Sequence, residues 1–308
     1  DKEVLLLKNS AYPSDLTCHV RDPKVFAYDG KYYMVLGART NVDIGQVLVW
    51  ESEDKYNWKC INRLHTEQPF GFMWECPDLF ALNGQWILMV SPQGIERQTY
   101  HYQNVYTCGY FPLYGDFRNE DVKLGEFHEL DYGFDFYAPQ TFEDGVRRIL
   151  IGWMGMPDAE EEYINKTIDE GWQHCLTVPR ELKVQNGKIL QYPVKELERL
   201  RKEKTILHDE KSIAEIRVEV NEGFDLVLEE IAITDSSFQI SMGGQMIFKY
   251  EEGIAEIGFS GIAGAGRERR KAKISELRNI RLLADTSAAE IYLNDGETVF
   301  STRYYPDR

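Results

Sequence analysis

Asp22 and Glu75 are two carboxylates set in the same local pattern. Residues 21 to 30 read RDPKVFAYDG, residues 75 to 84 read ECPDLFALNG, and residues 137 to 145 read YAPQTFEDG. In each, a proline (Pro23, Pro77, Pro139) precedes a phenylalanine three positions on (Phe26, Phe80, Phe142), then a Gly-containing turn. Two carboxylates facing one cavity are the minimum equipment for glycoside hydrolysis. Glu75 sits beside Trp74 and an apolar run. Partial burial there would raise its pKa and suit it to protonate a leaving-group oxygen. Asp22, beside Arg21, would stay ionised and favour an oxocarbenium-like transition state. Tyr137, Gln140 and Trp153 could add hydrogen bonds and a stacking wall for a sugar, with Cys76 next to the acid. Either acid taken alone reads equally well as a capped structural carboxylate. Equivalence within a repeat is what favours a shared site.

The elements that must position these residues are strands. After each turn comes an apolar segment: KYYMVLGA, QWILMVSP or RRILIGWM. Asp29-Gly30, Asn83-Gly84, Asp144-Gly145 and Asn186-Gly187 are favoured two-residue hairpin turns. Each repeat carries about four short strands over roughly 50 residues, the size of one propeller blade. The start of each innermost strand lies near a propeller's axis, so the residues just before the repeated prolines should converge. Proline restricts its predecessor to extended geometry, which would aim those side chains reproducibly.

The fold expectation is all-β. Residues 1–193 read as part of a propeller with three recognisable blades, 194–205 as a charged linker, and 206–308 as an antiparallel β-sandwich. Residues 1 to 20, with the run VLLL, look like the end of a preceding structural unit. Residues 157–172 read as a loop or short helix. AEIRVEV, FDLVLEE, SFQIS, MIFKY, AEIGF, IRLLAD, AEIYLND and VFSTRYY read as the sandwich strands, with Asn294-Asp295-Gly296 at the last hairpin. The basic run GAGRERRKAK (264 to 273) reads as a solvated edge or hairpin. GIAGAG lacks the strand-turn-helix setting of a nucleotide loop.

Composition narrows the partners. The formal charge is −16 over 308 residues, which argues against nucleic acid or an anionic membrane. The five cysteines form neither a CxxC pair nor a zinc spacing and read as free thiols of a reducing compartment. No run has the length of a transmembrane helix, and residues 1 to 10 show no leader pattern. The six histidines are scattered, and His19 draws notice only for its nearness to Asp22.

The stretches HVRDPKVF, GFMWECPDLF, GEFHELDYGFDFYAPQTF, ILIGWMGMPD and HCLTVPREL, with RLLADTSAAEIYLNDGE near the C-terminus, are those of a known family. The chain resembles glycoside hydrolase family 32, the β-fructofuranosidases, and within it the bacterial sucrose-6-phosphate hydrolases and sucrases. The resemblance implies a five-bladed propeller followed by a sandwich. It also implies retaining cleavage of terminal fructose from sucrose, its 6-phosphate or fructans, in the cytoplasm. By resemblance Glu75 is the general acid/base, Asp22 the transition-state stabiliser and Arg21 a contact to the fructosyl unit, with no metal or organic cofactor.

The family's nucleophile lies in an Asn-Asp-Pro-Asn-Gly segment, which does not occur here. Asp15, Asp78 and Asp135 lack that context. Together with the three-blade count, this gives the expectation of a chain without the family's N-terminal part. Its standing as an enzyme is then uncertain, and the lone monomer is expected to be inactive. A separate segment, a partner chain or a swapped copy would complete the propeller. The alternative is a non-catalytic fructoside-binding protein of the same fold.

Overall fold

The computed structural model describes residues 12–155, 165–202, 206, 223–231, 237–264 and 266–305. Among the described residues five antiparallel sheets form, as the hairpin turns predict. The first runs in simple succession through β1 (Leu16–Tyr28), β2 (Lys31–Thr40), β3 (Gly45–Ser52) and β4 (Lys59–Leu64). The second holds β5 (Met73–Leu82), β6 (Gln85–Gln93) and β7 (Gly109–Tyr114), with the short β8 (Lys123–Leu124) and β9 (His128–Glu129) both pairing with β7. The third holds β10 (Tyr137–Asp144), β11 (Arg147–Trp153), β12 (Arg180–Gln185) and β13 (Lys188–Pro193).

The prolines of the three repeats fall in the first strand of each sheet, and the Gly turns close the hairpins β1–β2, β5–β6 and β10–β11. Gly30, Gly84 and Gly145 all take positive φ, the backbone such tight hairpins need. The middle strands are apolar because both faces are covered. One core joins Tyr33, Val35 and Val47 of the first sheet to Trp74, Leu88 and Phe111 of the second. A second joins Phe80, Met89 and Tyr110 to Leu150, Leu182 and Ile189 of the third. Gly37 lies where the first two sheets touch, and a Cβ there would run into the Trp74 carbonyl.

The C-terminal strands form two sheets. β14 (Phe224–Leu228) begins one of them. The other is β15 (Phe238–Met242), β16 (Met246–Glu251), β17 (Ile254–Phe259) and β18 (Arg269–Lys273) in succession. Then β19 (Ile280–Ala284), β20 (Ala288–Leu293) and β21 (Thr298–Arg303) return to pair with β14. Met246, Phe248 and Ile257 of one sheet share a core with Leu282, Ile291 and Phe300 of the other. Asn294-Asp295-Gly296 makes the β20–β21 turn, as its residue types predict.

Several expectations fall outside the described residues, namely the VLLL run, AEIRVEV and residues 156–164. Of 157–172 the described part holds a 3-10 helix, Lys166–Glu170, and the charged segment holds another, Lys195–Leu200.

The basic run needs correction. It includes the edge strand β18, yet Arg267 and Arg270 are buried. Arg267 donates to Asp135 at 3.0 Å, and Arg270 donates to Asn104 at 2.7 Å. Two of its guanidinium groups thus bond to residues of the N-terminal part, one to a carboxylate and one to a side-chain amide. The Asp131–Asp135 segment lies along β21 in the manner of an added strand. Tyr132 donates its backbone N–H to Val299 at 2.8 Å, and Asp135 donates its own to Ser301 at 3.1 Å. The next residues enter β10, whose first residue is Tyr137.

Candidate active site

In all three repeats the strand register shifts at the proline: between Arg21 and Lys24, between Glu75 and Asp78, and between Tyr137 and Gln140. The residues before the prolines take positive φ: Asp22 at 62°, Cys76 at 49° and Ala138 at 49°. They are therefore not extended, contrary to the expectation from the following proline. The proline lacks the N–H for a ladder bond, and an irregular step at that point forms a bulge. A bulge bends the strand and re-aims the side chain before it. Three equivalent bulges aim three equivalent side chains at one point.

That point is Glu75. Its Oε1 accepts Arg21 Nε at 2.9 Å and Arg21 Nη2 at 2.6 Å. Its Oε2 accepts the Tyr137 hydroxyl at 2.7 Å and the Gln93 amide at 2.8 Å. Arg21, Glu75 and Tyr137 each stand two residues before a repeated proline. They meet across separations of 54 and 62 positions. The Glu75 side chain remains 17% exposed, so a ligand can still reach it.

One residue further along, the second layer meets. Asp22 Oδ2 accepts the Cys76 backbone N–H at 2.9 Å and lies 3.7 Å from its thiol. Gln140 donates its side-chain amide to the Cys76 carbonyl at 3.0 Å. Each carboxylate is therefore bonded to the chain neighbour of the other, Asp22 to Cys76 and Glu75 to Arg21. Trp153 stands opposite Tyr137 in the β10–β11 ladder, on the same face. Its ring lies edge-on to His174 at 5.0 Å, outside the hydrogen-bonded cluster. His19 lies 3.0 Å from Arg21 Nη1 and is exposed.

Gln93 was not singled out from sequence. It closes β6, and counting back along the hairpin from Asn83-Gly84 brings it level with the Glu75 region. Lys24 and Asp78 also went unassigned. Their repeat-equivalence with Gln140 is the signal that would have shown them. Of the aspartates weighed as substitute nucleophiles, Asp15 is exposed and paired with Arg63 at 2.7 Å. Asp78 is buried and holds Lys24, and Asp135 is buried and holds Arg267. Among the described residues no group of His, Cys, Asp and Glu could hold a metal ion. No helix among them is long and apolar enough to cross a membrane.

No disulfide joins the five cysteines. Burial, then the charges of Asp22 and Glu75, pushes the Cys76 thiol up to about 12. The nucleophilic form is the thiolate. At pH 8 iodoacetamide is therefore expected to label the exposed Cys18 while Cys76 stays unmodified until the protein is unfolded. Peptide mapping of the alkylated sites checks this, and fast labelling of Cys76 in the native protein would contradict it.

Comparison with known proteins gives the same picture at the level of the whole chain. The model of the glycosyl hydrolases family 32 N-terminal domain matches residues 2–193, and that of the family 32 C-terminal domain matches residues 256–308. The sucrose-6-phosphate hydrolase of Bacillus subtilis (strain 168) is 41% identical over 96% of this chain and 63% of its own length. That of Staphylococcus xylosus is 38% identical over 97% of this chain and 63% of its own. Among solved structures, the sucrose-6-phosphate hydrolase from Lactobacillus gasseri superposes with a TM-score of 0.82 at 26% identity, over 96% of this chain and 63% of that one. The Bombyx mori GH32 beta-fructofuranosidase superposes at 0.73 with 29% identity, over 94% of this chain and 61% of that one. The chain thus spans about 63% of the length of the curated relatives it matches.

These findings overturn one expectation. The family's N-terminal domain model matches residues 2–193, against the expectation of a chain without the family's N-terminal part. The readings that followed from it, an inactive fragment of uncertain enzymatic standing, lose that ground. That expectation rests on the absent Asn-Asp-Pro-Asn-Gly string together with the three-blade count. With both domain models matched, the chain belongs to glycosyl hydrolase family 32.

Proposed function

We propose that the protein is a β-fructofuranosidase acting on terminal β-fructosyl units of sucrose, sucrose 6-phosphate or short fructans. The convergence of Arg21, Glu75 and Tyr137 from equivalent positions of three sheets carries the reading. In this reading the three N-terminal sheets are blades of a five-bladed type of propeller. Residues 1–193 belong to that domain, 194–205 to a linker and 206–308 to the sandwich. Glu75 protonates the leaving oxygen as the bond to the fructosyl carbon breaks. Its carboxylate then draws a proton from the water that completes hydrolysis. Asp22, ionised and anchored on the Cys76 N–H, stabilises positive charge developing on the fructosyl ring. Arg21, Cys76, Tyr137, Gln140 and Trp153 surround the sugar.

The names of the bacterial relatives support sucrose 6-phosphate as the first substrate to try. The free thiols and that substrate class together support a cytoplasmic location. The test is to incubate the protein with sucrose 6-phosphate, sucrose and a fructose trisaccharide and to measure free fructose. Release from at least one is expected. Calorimetric binding of a fructoside with no fructose released from any of them would sink the hydrolase reading and favour a binding protein.

A further inference from the structure

The residues on the far side of each repeated proline are as equivalent as those before it. They are Lys24, Asp78 and Gln140, and they meet too. Lys24 Nζ donates to Asp78 Oδ2 at 3.2 Å, to Gln140 Oε1 at 3.1 Å and to the Thr141 carbonyl at 2.7 Å. An ammonium has three N–H donors. All three are committed within the protein, so Lys24 is not a spare cation for an anionic ligand. The Asp78 side chain is 1% exposed. Its Oδ2 also accepts the Thr141 backbone N–H at 2.7 Å and the Thr141 hydroxyl at 2.8 Å.

One ion pair, its carboxylate buried and its ammonium half-buried, therefore joins β1, β5 and β10 at a single level, just past the three bulges. The contacts continue toward the carboxylates. Gln140 binds the Cys76 carbonyl, and the Cys76 N–H binds Asp22. A buried ion pair by itself is weak evidence for stability, because apolar replacement of both partners is often neutral. What this pair contributes is geometry. It ties together three bulged strands that belong to three different sheets and share no ladder.

We infer that Lys24 and Asp78 are positioning residues, which cross-link the three bulged strands and so hold Asp22 and Glu75 in reactive register. The inference rests on the proposed roles of those two carboxylates. The geometric demand is steep, since a misplacement of about 1 Å can cost on the order of 100-fold in rate.

The test uses the full chain with sucrose 6-phosphate and compares K24M with the double variant K24M/D78L. K24M strands a buried carboxylate, so it is expected to lose both stability and at least about tenfold in kcat. The double variant removes that stranded charge. It is expected to regain the wild-type urea midpoint while kcat stays at least about tenfold down and KM changes by less than about threefold. Wild-type kcat in K24M/D78L overturns the inference, since the pair would then be only one of several ways to fill that space. Should E75Q and D22N both keep wild-type kcat, the underlying assignment fails and this one with it. A low kcat in E75Q and D22N beside a normal one in K24M/D78L separates the two failures.

Discussion

Fructose release falls by about 10²- to 10⁴-fold in Glu75→Gln, the usual range for loss of a general acid or base. Glutamine keeps the shape and can still meet Tyr137 and Gln93, but it cannot supply the proton. The loss should appear in kcat, while fructoside binding measured by calorimetry changes little. A fructoside with an acidic phenol as leaving group needs less protonation, so its fructosyl-transfer step should suffer less than that of sucrose. Tyr137→Phe removes one of four bonds to the same carboxylate and leaves the proton carrier in place. Its effect should therefore be smaller. If Glu75→Gln retained wild-type turnover of sucrose 6-phosphate, Glu75 would not be the acid.

Arg180→Met should destabilise the protein by about 3–5 kcal/mol, the cost of breaking a buried ion pair by removing one partner. Arg180 is fully buried between the third sheet and the C-terminal sheets. It donates to Asp131 at 3.2 Å, to Glu290 at 2.6 Å, to Gln191 at 2.9 Å and to Ser301 at 2.6 Å. Methionine fills the space and leaves two carboxylates without their cation.

The deficit should depend on pH, and its sign follows from Asp131. Burial raises that carboxyl from 3.8 to about 6 even with Arg180 beside it. A group raised in the folded state adds stability that is complete below its unfolded pKa and is lost as pH rises through the folded one. Without Arg180 the carboxyl holds its proton more tightly still. The gap between wild type and Arg180→Met should thus be widest above pH 7 and narrow toward pH 5. Urea denaturation of both proteins at each pH measures it, and a gap independent of pH would exclude Asp131 as its source.

Much of the site was legible before any coordinates. Repeat equivalence singled out Arg21, Glu75 and Tyr137, and these three side chains meet. Equivalence could be read because a propeller-like array repeats a short local pattern, and proline and Gly-containing turns punctuate it visibly. Two kinds of feature escaped. Backbone conformation at the repeated proline was inferred from the dipeptide rule, which expects extended geometry. Cross-strand bonding overrides that rule, and all three residues take positive φ. Partners distant in sequence also escaped. Gln93 reaches Glu75 across 18 positions and Lys24 reaches Thr141 across 117, and only counting along the hairpin or from repeat to repeat points to them. The basic run at 264 to 273 looked solvated because its charges are dense. Asp135, the carboxylate that holds the buried Arg267, lies more than a hundred residues earlier.

By itself, then, the sequence determined the strand-and-turn grammar, the repeated proline and the two carboxylates set beside it. All of these are written in neighbouring residues, where steric preference and side-chain alternation act directly. The tertiary structure decided what those residues do together. Only packing three sheets side by side turns the bulges inward, sets a guanidinium, a phenol and an amide on one carboxylate, and locks the strands with Lys24 and Asp78. The physical reason is that hydrogen-bond geometry is fixed over about 3 Å in space, a distance that separation along the chain does not encode.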